Sequence, residues 1–107
     1  MPTFKLLPAV SLSALILAGC ATPPENPQLL QARAQFAALQ HKPESNTLAA
    51  IETREAFSAL NKADQASLKD RKAPDVEQLT YLASQKIAVA EQTIAMRQAE
   101  AGLKKID

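Results

Sequence analysis

Two hydrophobic patterns divide the chain. From Leu6 to Ala18 it is apolar except at Pro8, Ser11 and Ser13 and carries no charge. That run is well short of the roughly 20 residues a helix needs to cross a bilayer. Its place after a short basic start, with Lys5 the one charged side chain, is the build of an export signal. Beyond Pro27, apolar positions recur at steps of three and four, which is one face of an α-helix. No stretch alternates as a half-buried strand would.

Proline and polar caps cut this helical part into three. Asn26 as cap and Pro27 at the first helical position open helix one, a favoured pairing because proline lacks the N–H that would go unpaired there. It runs to about Lys42, where Pro43 stops it, and Leu29, Ala32, Phe36 and Leu39 form its apolar stripe. Helix two is expected to open at Ser45 to Thr47 and to end among Lys69, Asp70, Arg71 and Lys72. Its apolar face holds Ala49, Ala56, Phe57, Leu60, Ala63 and Ala66; Arg54, Ser58, Asn61, Lys62, Gln65 and Lys69 lie opposite. Helix three spans Pro74 to about Ile106, close to 50 Å at 1.5 Å per residue. Asp75 and Glu77 at its start and Lys104 and Lys105 at its end suit the helix dipole. Val76, Leu79, Ala83, Ile87, Ala90, Ile94 and Ala101 make a narrow stripe along it.

The fold class is therefore all-α: a signal peptide, then an antiparallel helical hairpin or three-helix bundle with a long C-terminal helix. Helix one is about half as long as helix three, so the last third of helix three is expected to project. A projecting amphipathic helix invites self-association or a protein partner, and the stripe Val76, Leu79, Ala83, Ile87, Ala90 and Ile94 is the expected contact surface. The many alanines favour helix but offer little apolar area each.

The residues that close the N-terminal run are more specific. Leu17-Ala18-Gly19-Cys20 resembles the lipobox of bacterial lipoproteins, and Cys20 is the only cysteine. The resemblance implies cleavage between Gly19 and Cys20, a diacylglycerol on the Cys20 thiol and an acyl chain on its amine, with no other cofactor. Two or three acyl chains make membrane residence effectively permanent, where one chain binds only marginally. Ala21, not aspartate, follows the cysteine. In Gram-negative lipoproteins that implies the periplasmic face of the outer membrane over the inner membrane. The expected organisation is a signal peptide over 1–19, an acylated cysteine and proline-rich linker over 20–27, and an alanine-rich helical domain over 28–107. The prolines at 23, 24 and 27 stiffen that linker at about 3.1 Å per residue, so the domain sits near the membrane.

Within the last helix, Tyr81-Leu82-Ala83 and Lys86-Ile87-Ala88, with Ala56, Leu60, Lys62, Ala63 and Asp64 before them, resemble an alanine-rich helical domain of unknown function. That domain occurs in Gram-negative envelope lipoproteins, often ahead of an OmpA-like peptidoglycan-binding domain. The resemblance covers about residues 29 to 101. The sequence ends at Asp107 without an OmpA-like domain, so that domain's wall binding does not carry over.

Charge and chemistry narrow the function further. The chain holds twelve Lys and Arg against eleven Asp and Glu, and loss of Lys5 with the signal balances them. Such neutrality gives no reason to expect a nucleic acid partner. With Cys20 acylated no thiol remains for a disulfide or a soft metal site, and no metal cluster is expected. His41, the one histidine, ends helix one and reads as solvated. Glu52 and Glu55 read as surface charges without the apolar cleft that separates two pKa values for acid–base work. Gly19 and Gly102 are the only glycines, too few for a phosphate-cradling loop. The chain is thus not expected to be an enzyme. Tyr81 lies off the main stripe, as a packing residue or a partner contact. Lys104-Lys105 reads as helix-end solvation because Ile106 and Asp107 follow. The expectation is a membrane-anchored periplasmic helical spacer or adaptor, binding an envelope protein or itself. The alternative is a peptidoglycan-associated protein bridging outer membrane and wall; a lipid carrier would need a cavity that alanine-rich packing does not leave.

Overall fold

The computed structural model describes residues 23–106. The expected signal peptide over 1–19 and the lipobox-like string Leu17-Ala18-Gly19-Cys20 lie outside them. Asn26 begins the first helix as expected: its Oδ1 accepts from the Gln28 N–H at 2.8 Å, and Pro27 takes the first helical position. Helix α1 runs Pro27–His41. Its carbonyl at Leu39 accepts the Lys42 N–H, and Pro43 then turns the chain.

The expected second helix is two elements. A single turn, α2, spans Glu44–Thr47, and α3 runs Ala50–Lys69. The break at Leu48 and Ala49 lets the chain cross the end of the bundle and reverse. Two tertiary bonds hold it. The Thr53 hydroxyl donates to the Ser45 carbonyl at 3.1 Å, and Arg97 Nη1 donates to the Leu48 carbonyl that the break frees. Asp70 then closes α3 and builds the next turn: its N–H donates to Ala66, and its Oδ1 accepts from the Lys72 N–H at 3.0 Å. Pro74 opens α4, which runs Pro74–Ile106 in one piece of 33 residues.

Helix α3 packs antiparallel along α4 over their largest interface, and α1 lies parallel to α4 on the adjoining side. Among the described residues there is no strand. The core joins Leu29, Ala32, Phe36 and Leu39 of α1 with Ala56, Ala59, Leu60 and Ala63 of α3, and closes on Val76, Ala83, Ile87, Ala90 and Ile94 of α4. Alanine at so many contact positions lets the backbones approach closely, and leaves most of the hydrophobic stabilisation to a few large side chains. Leu29 and Leu39 are completely buried and Ile87 nearly so.

Three sequence expectations change here. Phe57 is 53% exposed: it sits at the rim of the α1–α3 seam with its ring 5.8 Å from that of buried Phe36. Ala59 and Ser67 are buried instead, because α3 meets α4 on a face turned slightly from the one its strongest apolar residues mark. Third, the stripe Val76, Leu79, Ala83, Ile87, Ala90 and Ile94 is not a free contact surface. Five of the six are buried and Leu79 packs against the core, since this is the face on which both α1 and α3 dock. The expected projection is present: from Ala95 to Lys104 every residue of α4 is exposed.

Ile87→Ala should lower stability by about 2–4 kcal/mol, the cost of deleting a buried Ile in a core that only partly relaxes. Leu68→Ala, at a residue 83% exposed, should change it by less than about 0.5 kcal/mol. Urea unfolding followed by circular dichroism compares the two.

Candidate functional site

Docking α1 parallel to α4 leaves an open groove along their outer seam, about 320 Å³ in volume. Gln28, Gln31 and Gln35 line one wall, one turn apart on α1; Tyr81, Ser84, Ala88 and Glu91 line the other. The hollow continues past Tyr81 to Pro74, Glu77 and Gln78. Tyr81 stands between the two parts and is 65% exposed. Thr80 is fully buried at the groove, and its Oγ1 has no hydrogen-bond partner among the described residues. Among the described residues no Lys, Arg or His lines either part. The groove therefore offers amide donors and acceptors, hydroxyls, two carboxylates and one aromatic face. That set suits a neutral polar ligand.

A second polar feature fixes the base of the molecule. Arg33 of α1 donates from Nε to Asp64 Oδ1 of α3 at 2.8 Å, and from Nη1 to Glu25 in the segment before α1. Glu25 also lies 3.6 Å from Arg71 in the α3–α4 turn, and Arg71 donates to the Pro23 carbonyl. Partial burial works against the Arg33 charge, but its hydrogen bonds and charge contacts with Asp64 and Glu25 outweigh that and raise its pKa above the ordinary value. Residues 23 to 25 are thereby held against the α3–α4 turn, where α4 begins. The far end of α4 points away from them.

The remaining candidates are dispersed. Glu55 pairs with Lys86 at 3.5 Å and Glu52 lies 3.6 Å from Arg97, so these carboxylates tie α3 to α4. His41 is exposed at the end of α1, and Lys104 is exposed on the projecting end of α4. Among the described residues no group of three His, Cys, Asp or Glu side chains is placed to hold a metal ion, and no helix is long and apolar enough to cross a membrane. The Gln row is the feature that sequence reading passed over. Its spacing of three and four was visible, but only the parallel docking of α1 sets it beside Tyr81.

If the Glu25 contacts hold the segment before α1, Arg33→Gln should release it. Cleavage of the full chain after Glu25 by a glutamate-specific protease should then speed up about fivefold, the weight of roughly 1 kcal/mol of lost ion pairing. An unchanged rate would show that the contacts hold nothing.

Comparison with known proteins returns one family. No curated protein and no solved structure matches the chain. The family model described as "Domain of unknown function (DUF4398)" matches residues 27–106, which takes in all four helices, the groove and Arg33, Asp64 and Arg71 of the base clamp but not Pro23 or Glu25, and on that match the chain belongs to the DUF4398 family.

Proposed function

We propose that this protein is a lipoprotein anchored at the periplasmic face of the outer membrane, working as a helical spacer or adaptor in the cell envelope. The observation that carries the reading is the clamp of residues 23 to 25 onto the base of the bundle. A tether running through these residues would join the bundle at the end where α4 begins. A tether there directs the 33 residues of α4, about 50 Å, away from the membrane. The Leu17-Ala18-Gly19-Cys20 string supplies the anchor, and acylation of Cys20 is part of the proposal. The exposed far end of α4 is the part such a spacer would present.

In cells, Cys20→Ser should move the protein from the membrane to the soluble fraction with its helical circular dichroism unchanged; retention in the membrane would sink the anchor. Direction is read separately, with the acylated chain in vesicles bearing headgroup spin labels. A fluorophore on Leu68→Cys, in the last turn of α3 at the tethered end, should be quenched, and one on Leu103→Cys should not. Equal quenching would mean a domain lying flat and would rule out a spacer.

A second reading, contact with wall glycan, draws on the groove. Sugars are neutral, rich in hydroxyls and amides, and stack on aromatic faces, which matches Gln28, Gln31, Gln35, Ser84 and exposed Tyr81. Purified sacculi should sediment the wild-type chain, and Tyr81→Ala should cut the bound fraction several-fold. A wild-type chain left in the supernatant removes this reading.

A further inference from the structure

Helix α4 carries a second apolar stripe, on the side away from α1 and α3. Leu82, Val89, Met96 and Leu103 follow one another at steps of seven, and all are between 43 and 64% exposed. At 100° per residue they lie about 160–220° around the helix from buried Ile87. Between them fall Gln85, Gln92 and Ala99, also exposed, so that seven consecutive a and d positions of a heptad pattern carry no charge. Single exposed apolar residues are ordinary, but a charge-free row of this length on one side of a solvent-facing helix is not. The row drifts by about 20° per heptad on a straight helix, and a left-handed supercoil with another helix keeps such a row in contact.

We propose that the occupant of this face is α4 of a second copy, running parallel and in register. The inference deepens the anchored reading by naming a partner, and rests on it for one of its arguments. In the parallel arrangement apolar residues meet their own kind at Leu82, Val89, Met96 and Leu103. Gln85 and Gln92 meet the same residues of the other copy, where paired amides satisfy each other. An antiparallel pair brings Lys86 near Glu100, but sets Gln92 against Met96 and Gln85 against Leu103 and leaves the amides without partners. The flanking positions permit the parallel pair. Tyr81, Ala88, Ala95 and Gly102 line one flank, and a Cβ at Gly102 would meet nothing within 4 Å; Lys86 and Glu100 line the other, with Thr93 between them buried in the bundle. Across the seam Lys86 faces a Tyr81 ring and Glu100 faces Ala95, with no like charges opposed. The chain outside the described residues supplies the last argument. In the anchored reading the acylated Cys20 stands three residues before Pro23, and Pro23 is held at the base, so two copies tethered in one membrane would point α4 the same way, at raised effective concentration.

The test uses the full chain with Cys20→Ser, which leaves only introduced thiols. Sedimentation velocity should show a monomer–dimer equilibrium as concentration rises toward about 500 μM, the millimolar regime of tethered copies. Val89→Glu with Met96→Glu should weaken the dimer at least about a hundredfold by burying unpaired carboxylates, with unchanged helicity. On mild oxidation Val89→Cys should form disulfide-linked dimers, while Ala95→Cys and Leu68→Cys should not. A monomer at every concentration overturns the proposal. So does a dimer that ignores the glutamates, or one linked through Ala95→Cys and not Val89→Cys, which is the antiparallel pair. The anchor is judged by membrane fractionation with Cys20 intact, so failure of either idea is visible without the other.

Discussion

Helices α1 and α3 both depend on one surface, the inward face of α4. Val76, Ala83, Ile87, Ala90 and Ile94 receive α3 along its length and α1 over its first half. Helices shorter than about 12 to 15 residues are marginal alone, and most helical stability in proteins comes from packing an apolar face. α1 therefore owes its order to that dock. Alanine is what makes one helix wide enough for two neighbours. It lets α3 and α1 approach side by side where larger residues would hold them apart, and Leu29, Leu39 and Ile87 then fill the central space. Small area per contact is the cost, so the fold leans on few side chains.

Polar contacts ring this apolar seam and set its register. Glu55 with Lys86, Glu52 with Arg97 and Asp64 with Arg33 are spaced along α3. Each pair at such exposure is worth little. Their effect is geometric: a slide of α3 along α4 by one turn would separate the two α4 pairs at once. Arg97 adds a tie to the Leu48 carbonyl, so the chain reversal at Ala49 is fixed to α4 and not only to its own helix.

The helix ends were legible because they are written locally, in Asn26 and Pro27, Pro43, Asp70 and Pro74. The break at Leu48 was not, since leucine and alanine are good helix formers and the bonds that stabilise the break come from Arg97 and Thr53. Periodicity also placed Phe57 with the core, because a helical wheel does not distinguish the middle of a buried face from its rim. The larger error concerned α4. Two apolar stripes run along it, and a sequence does not say which is turned inward; the narrow one from Val76 to Ile94 was consumed by the fold, leaving Leu82 to Leu103 outside. The groove was hidden for a related reason, as it exists only where α1 and α4 meet.

The Glu25 clamp also bears on mechanics. A force applied through the residues before Pro23 would ordinarily peel α1 from its first turn, breaking contacts one after another. Here Glu25 passes the load at once to Arg33, and through it to Asp64 on α3, while Arg71 takes part of it at the turn into α4. The pull is thus shared among three helices loaded together at one end. Each pair is weak alone, so what the clamp changes is the route of the load: tension enters the whole bundle at one end and not as a peel of α1.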